Sequence, residues 1–336
     1  MNFTIRIALA IILSFLTAMV FAPFVIKAAK RLRAGQNILH WVGNHQEKQG
    51  TPTFGGFIFI IPAIISTVIL AGFRSRLGFI AVAITLGFML IGFLDDFIKI
   101  RSKKNQGLKA YQKILGQVTA SALVTWFSYT NRHIGTSINL PFSGQVIDLG
   151  WWFLPLCFIA FIAASNAVNL TDGLDGLAGG TSAVYFGTFT VLLVVKYAIL
   201  NNQAQLSEAV EVASLAVFSA SLAGALLGFL WHNSNPASVF MGDTGALALG
   251  AAAAAVAIFS KNPLIILILG IMFVLSCISV IMQVLYFKAT KKRVFLMAPL
   301  HHHFQYKGIK EQKIVACYII ITLVAGVISL ASMVTS

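Results

Sequence analysis

The chain has 336 residues, of which 58% are hydrophobic and only 10% charged, and its formal net charge is +14. A mean hydropathy of +0.87 leaves too little polar surface for a soluble globular domain, so that class is excluded. Nucleic acid is not indicated by the positive charge, because the cations flank apolar segments; topology signals and attraction to anionic lipid account for them.

In chain order, runs of about 20 apolar residues, the length that crosses roughly 30 Å of hydrocarbon, recur from end to end. They predict helices over 3–26, 54–72, 78–94, 114–130, 150–168, 181–199, 211–230, 245–260, 264–287 and 314–333. Helices are the expected form because unpaired backbone groups are intolerable in lipid, and barrel-like alternation is absent. The first run is long and more spans follow, so it reads as a retained helix and not a cleaved signal. Between the fourth and fifth spans, Asn131 to Gly150 carries turn signals at Pro141 and Ser143–Gly144 and predicts a short hairpin. Cys157, Cys277 and Cys317 lie in apolar stretches and read as buried hydrophobes, with no disulfide framework. The expected fold is an all-α integral membrane protein of ten transmembrane helices, a single polytopic domain over 1–336.

An even span number puts both termini on one side. One set of loops holds Lys27, Lys30, Arg31, Arg33, Lys48, Lys99, Arg101, Lys103, Lys104, Lys109 and Lys113. The same set continues with Lys288, Lys291, Lys292, Arg293, Lys307, Lys310 and Lys313. The other side has only Arg6, Arg74, Arg76, Arg132, Lys196 and Lys261. The positive-inside rule makes the first set cytoplasmic and both termini extracytoplasmic.

Of the ten acidic residues, Glu47, Asp95, Asp96, Asp172, Asp175, Asp243 and Glu311 fall on the cytoplasmic side, and Asp148, Glu208 and Glu211 outside. The five cytoplasmic aspartates lie at predicted helix ends, where carboxylates are costly unless paired or metal-bound. In Asp95-Asp96-Phe97-Ile98-Lys99, a continuing helix puts Asp95 and Lys99 on one face and turns Asp96 about 100° away. Two adjacent carboxylates suggest a cation or a proton-transfer role, against the plainer reading of a solvated helix end.

Asn169-Leu170-Thr171-Asp172-Gly173-Leu174-Asp175-Gly176 runs on to Gly179-Gly180, so the backbone can approach a ligand closely. One helical turn would bring Asp172 and Asp175 together. Next, His232-Asn233-Ser234-Asn235-Pro236 leads to Phe240-Met241-Gly242-Asp243-Thr244-Gly245. Such oxygen-rich loops, with Asn233 and Asp243, suit Mg²⁺, which takes one or two carboxylates plus phosphate oxygens and waters. Phe240 offers a ring to stack on a base, beside the plainer reading of packing. The run His301-His302-His303 is not a zinc site, since adjacent histidines cannot comfortably share one metal; phosphate contact or proton shuttling fits better. Lys48-Gln49-Gly50-Thr51-Pro52-Thr53 opens the second span with a lysine, hydroxyls and glycine, a setting that favours an anion. Together these stretches are the equipment for a Mg²⁺-bridged diphosphate at the cytoplasmic face.

In the stretches Gly50–Gly56, Asp95–Lys99, Asn169–Gly180, Val239–Gly245 and Pro299–Phe304, the chain resembles the phospho-N-acetylmuramoyl-pentapeptide transferases, within the polyprenyl-phosphate N-acetylhexosamine-1-phosphate transferase superfamily. The likeness covers nearly the whole length. It implies transfer of phospho-MurNAc-pentapeptide from UDP-MurNAc-pentapeptide to undecaprenyl phosphate, giving lipid I and UMP. It also implies Mg²⁺ dependence, a bacterial inner membrane and a homodimer. By matching motif, Asp243 would ligate Mg²⁺, while Asp95 and Asp96 would prepare the lipid phosphate or steady the metal site. Lys48, Asn169, Asp172, Gly173, Leu174, Asp175 and Phe240 would form the nucleoside side. His301, His302 and His303 would meet phosphate or sugar-peptide. Thr53, Lys99 and Asn233 join the candidates from the residues themselves.

Two mechanisms stay open: direct attack by the lipid phosphate, with Asp96 as base or positioner, which is preferred, or a phospho-enzyme at Asp95 or Asp96. Rival functions are a sibling transferase using UDP-GlcNAc and a cation-coupled transporter. The transporter would need acids near the bilayer midplane on broken helices. A purely structural scaffold would not need five clustered aspartates.

Overall fold

The structure is a computed structural model that describes residues 2–32, 50–72, 75–102 and 107–334. Each predicted span falls on a helix. Chain order gives α1 (Phe3–Arg31), α2 (Gly56–Leu70), α3 (Leu77–Ser102), α4 (Ala110–Thr130), α5 (Phe153–Thr171), α6 (Leu177–Asn202), α7 (Leu206–Asn233) and α8 (Gly242–Phe259). After these come α9 (Ile265–Leu269), α10 (Ile271–Thr290), α11 (Leu300–Tyr306) and α12 (Glu311–Val334). Among the described residues, eight helices are long and apolar enough to cross a membrane; α2 is apolar but shorter. The chain is thus an all-α integral membrane protein. Its only described strands are the hairpin foreseen between α4 and α5, β1 (Ser137–Asn139) antiparallel to β2 (Val146–Asp148), with Ile138 opposite Ile147.

Membrane placement inverts the usual packing rule. On α1, Ile5, Leu9, Ile12, Leu16 and Val20 form an exposed stripe, while Ala10, Ala18 and Ala22 face inward. Lipid solvates the large side chains, and small ones let helices approach closely. The centre is α7 and α8. Every residue of α8 except Asp243 is buried; the helix packs against α3 and α5, and at Gly250 a Cβ would lie 2.3 Å from the Ala164 carbonyl oxygen of α5. Exposed Trp151 and Trp152 mark one end of the bundle and Trp231 the other, as in interfacial aromatic belts.

Two expectations are corrected. The predicted span 264–287 is divided into α9 and α10 at Gly270, whose backbone (φ −86°, ψ 17°) leaves the helical basin. A Cβ there would lie 2.5 Å from the Ile266 carbonyl oxygen, so the break is built around a glycine. From Ile281 to Thr290, α10 is exposed on nearly all sides except at Gln283. The other correction concerns α3, which continues to Ser102, so Asp95 and Asp96 sit inside a helix and not at its end.

Candidate functional site

Because α3 runs on, Asp95, Asp96 and Lys99 project from one rigid helix, and Asp95 and Asp96 are 3% and 1% exposed. Facing them is the first turn of α8, with Asp243 and Thr244. Close approach of these helices needs Gly92, where a Cβ would lie 2.1 Å from the Asp243 carbonyl oxygen. It also needs Gly242, held at φ +73°, where a Cβ would meet Thr53 Oγ1 at 2.5 Å and Asp96 Oδ2 at 2.6 Å. The segment before α2 is laced to this corner: Gly55 N–H donates to the Phe240 carbonyl (2.8 Å) and Phe240 N–H to the Pro52 carbonyl (2.8 Å).

Carboxylate oxygens of Asp95, Asp96 and Asp243 all lie within 4.8 Å of one another. Two ammonium groups hold them. Lys99 Nζ is 2.6 Å from Asp95 Oδ2, 2.9 Å from Asp243 Oδ2 and 3.8 Å from Asp96 Oδ1. Lys113 of α4 reaches Asp243 Oδ2 at 2.7 Å. Asn169 Nδ2, from the last turn of α5, donates to Asp243 Oδ1 at 2.9 Å. Asp96 Oδ2 accepts from Thr244 N–H (2.9 Å) and Oγ1 (2.7 Å), and Asp95 Oδ1 accepts from Leu108 N–H (2.8 Å). The i, i+4 pairing of Asp95 with Lys99 is as expected. Lys113 and Thr244 were not foreseen as site residues: Lys113 reads as one more topology cation, and its partner is 130 residues away in sequence.

Asp172 and Asp175 do not share a helical turn. Residues 172–176 form a turn between α5 and α6, and the two carboxylates have different surroundings. Asp172 keeps some solvent contact, yet the surrounding protein and the charges of Asp243, Asp96 and Asp175 push its carboxyl up to about 8. Asp175 Oδ2 accepts from Ala237 N–H (3.0 Å) and Asn235 Nδ2 (3.2 Å), and its own N–H donates to Glu311 Oε1 (2.7 Å). Asn233 is buried and spans the loops, accepting from Gly176 N–H (3.0 Å) and donating to the Val239 carbonyl (2.9 Å). Asp175, Asn233 and the unforeseen Glu311 therefore knit three loops beside Asp172. Leu174 packs into a small apolar cluster with Leu177, Met272, Ile314 and Tyr318. Phe240 is half-buried, and Thr53 is buried with its hydroxyl unpartnered among the described residues. Lys48 lies outside the described residues.

The three histidines do different things. His301 is fully buried against Gly173, where a Cβ would lie 2.2 Å from Nε2, and neither ring nitrogen has a hydrogen-bond partner among the described residues. Burial, with His302 next to it, holds its pKa well below the usual value, so it is neutral. His302 Nδ1 lies 3.1 Å from Gln305 Oε1. His303 Nδ1 accepts from Leu296 N–H (3.2 Å) and so shapes the loop before α11.

Fold and site together define a multi-pass membrane protein with a carboxylate–lysine–amide centre at one end of its helices, suited to anionic phosphates and a hard cation. The model of glycosyl transferase family 4 matches residues 78–261. A phospho-N-acetylmuramoyl-pentapeptide-transferase from Clostridium perfringens is 45% identical over 329 residues, covering 98% of this chain and 97% of that protein. Proteins of the same name from Caldanaerobacter subterraneus (41%, 98% and 99% covered) and Halalkalibacterium halodurans (40%, 92% and 92% covered) are also similar. The chain belongs to the phospho-N-acetylmuramoyl-pentapeptide-transferase family.

Proposed function

We propose that this chain transfers phospho-MurNAc-pentapeptide from UDP-MurNAc-pentapeptide to undecaprenyl phosphate, giving lipid I and UMP at the cytoplasmic face of the bacterial inner membrane. The observation that carries this reading is the convergence of Asp95, Asp96 and Asp243 with Lys99, Lys113 and Asn169. Both substrates are anions, so attack of one phosphate on a diphosphate needs charge neutralised before bonds form.

The donor set fits Mg²⁺: it is all oxygen, and the three carboxylates outnumber the two lysines by one charge. Asp243, supported by Asp95 and Asp96, would hold the ion, which when bound supplies charge neutralisation at the diphosphate. Lys99 and Lys113 steer and hold phosphate oxygens. A phosphate monoester is largely dianionic near neutrality, its second pKa being about 6, so the lipid phosphate attacks the β-phosphorus directly and the β-phosphorus–oxygen bond to UMP breaks. Asp96, positioned by Thr244, orients that phosphate or takes its remaining proton. Asn169, Asp172, Gly173, Leu174, Asp175 and Phe240, with Lys48, form the nucleoside side, and the histidine loop meets the sugar-peptide. An apolar cavity of about 410 Å³ between α5, α8, α9 and α10 suits the polyprenyl chain, since α5 leads from it to Asn169. Ten spans, extracytoplasmic termini and a homodimer complete the reading.

The test is UMP release from UDP-MurNAc-pentapeptide and undecaprenyl phosphate with and without Mg²⁺. Asp243→Ala and Asp96→Ala should each lose most activity while staying folded. Full activity in Asp243→Ala would refute the metal assignment, and turnover of UDP-GlcNAc alone would refute the substrate.

A further inference from the structure

A second cavity, of about 480 Å³ and with charged residues in its lining, lies at the opposite end of the bundle beneath the β1–β2 hairpin. The end of α6, the start of α7 and the turn after α8 form its other walls. Two lysines line it, Lys196 near the end of α6 and Lys261 in the turn, and Glu208 is the one acidic residue among the lining residues. Neither lysine lies within 4 Å of a carboxylate among the described residues. Lys196 Nζ donates to the Ser260 carbonyl at 2.7 Å, which caps the end of α8 but uses one of three protons. An ammonium on a membrane helix is costly without an anionic partner, and such residues mark binding sites by default.

Lys261 adds an independent observation. It stands at φ +62°, in the left-handed region where glycine would be free of strain. Its carbonyl accepts from Asn139 N–H at 2.8 Å and so staples the hairpin over the cavity. That staple is made by backbone and does not require a lysine. The side chain instead brings a second cation to the cavity that Lys196 lines, with Gln145 of the hairpin and Gln203 after α6 in the lining as further donors.

We infer that this cavity binds a phosphate-type oxyanion between Lys196 and Lys261, supplied either by a phospholipid headgroup of that leaflet or by free phosphate. Tetrahedral phosphate oxygens can take both ammonium groups and an amide together. The site is separate from the carboxylate centre and does not depend on the proposed reaction.

The deciding variant is Lys261→Gly, which removes the ammonium, keeps the stapling carbonyl and relieves the backbone. In nanodiscs containing phosphatidylglycerol, native mass spectrometry should find one tightly retained anionic lipid per chain fewer in Lys261→Gly, with retention at the site falling about tenfold. In lipid-free detergent, millimolar inorganic phosphate should slow amine acylation of Lys261 and Lys196 in the unmodified chain if the free anion is the ligand. A loss in the first arm assigns the headgroup, and protection in the second alone assigns free phosphate. Equal lipid retention together with unchanged acylation overturns the inference. Lys196→Met should reproduce the loss seen with Lys261→Gly.

Discussion

Asp243 Oδ2 is met by two ammonium groups from different helices, Lys99 at 2.9 Å and Lys113 at 2.7 Å. Lys99 also serves Asp95, so Lys113 is the cation most nearly dedicated to Asp243. Lys113→Met should leave the chain folded, because Lys99 still neutralises Asp243. It should lower kcat by about 10²–10³, the usual cost of removing one stabilising donor from a charged transition state. UMP release beside a thermal melt measures both; unchanged kcat would remove Lys113 from the site. Asp172 gives a pH-dependent prediction. Its carboxyl keeps its proton in the folded chain up to about 8, whereas an ordinary one ionises near 3.8. The folded chain then holds the extra proton across that window, and the associated stability is lost as pH rises through it. Without divalent cation, Asp172→Asn should melt higher than the parent chain by a margin that widens from about pH 4 to about pH 8. A margin that shrinks with pH would contradict the assigned environment. At this scale, local pairs were legible in sequence and distant ones were not. Asp95 with Lys99 follows from helical spacing, but Lys113 with Asp243 depends on how α4 and α8 pack.

Among elements, the contact that forms the site is α3 against α8. Its tightest point is Gly92, with the Asp243 carbonyl oxygen 2.1 Å from where a Cβ would stand. Backbone cannot yield there as a flexible side chain would. Gly92→Ala should therefore part the two helices, at a cost of about 1–3 kcal/mol in stability. The carboxylate cluster should loosen with it, lowering activity by more than the fraction of unfolded chain explains. Comparing kcat with the folded fraction separates the two effects, and a parent-like kcat would show that the helices tolerate the methyl. The other end of α3 is fixed differently: Glu211 of α7 accepts from Arg76 and Leu77 N–H groups, both at 2.8 Å, capping α3 from a neighbour. Hydropathy located the helices because each must cross the same apolar layer. It could not locate the break at Gly270, since a short broken helix and a straight one have the same composition. Nor could it separate Asp172 from Asp175, whose spacing fits a helical turn that the Gly-rich segment does not make.

At the scale of the whole molecule, the two ends of the bundle differ in chemistry. One gathers the aspartates with Lys99, Lys113, the histidine loop and the cations from Lys288 to Arg293; the other carries the hairpin and few charges. If cations are retained on the cytoplasmic side, the hairpin tip must face outward and the end of α10 inward. Ser143 and Thr290 are both exposed and sit at those opposite ends, so each can report its side when changed to cysteine. The native Cys277 and Cys317 are at least partly exposed and would be replaced first, while Cys157 is buried. In intact cells a membrane-impermeant maleimide should label Ser143→Cys at once and Thr290→Cys only after permeabilisation. The reverse pattern would put the carboxylate centre on the outer face, away from a nucleotide donor made in the cytoplasm, and the proposed reaction would fall with the topology. Labelling of both sites in intact cells would place an even number of crossings between Ser143 and Thr290, against the odd number made by α5, α6, α7, α8 and the divided span α9–α10.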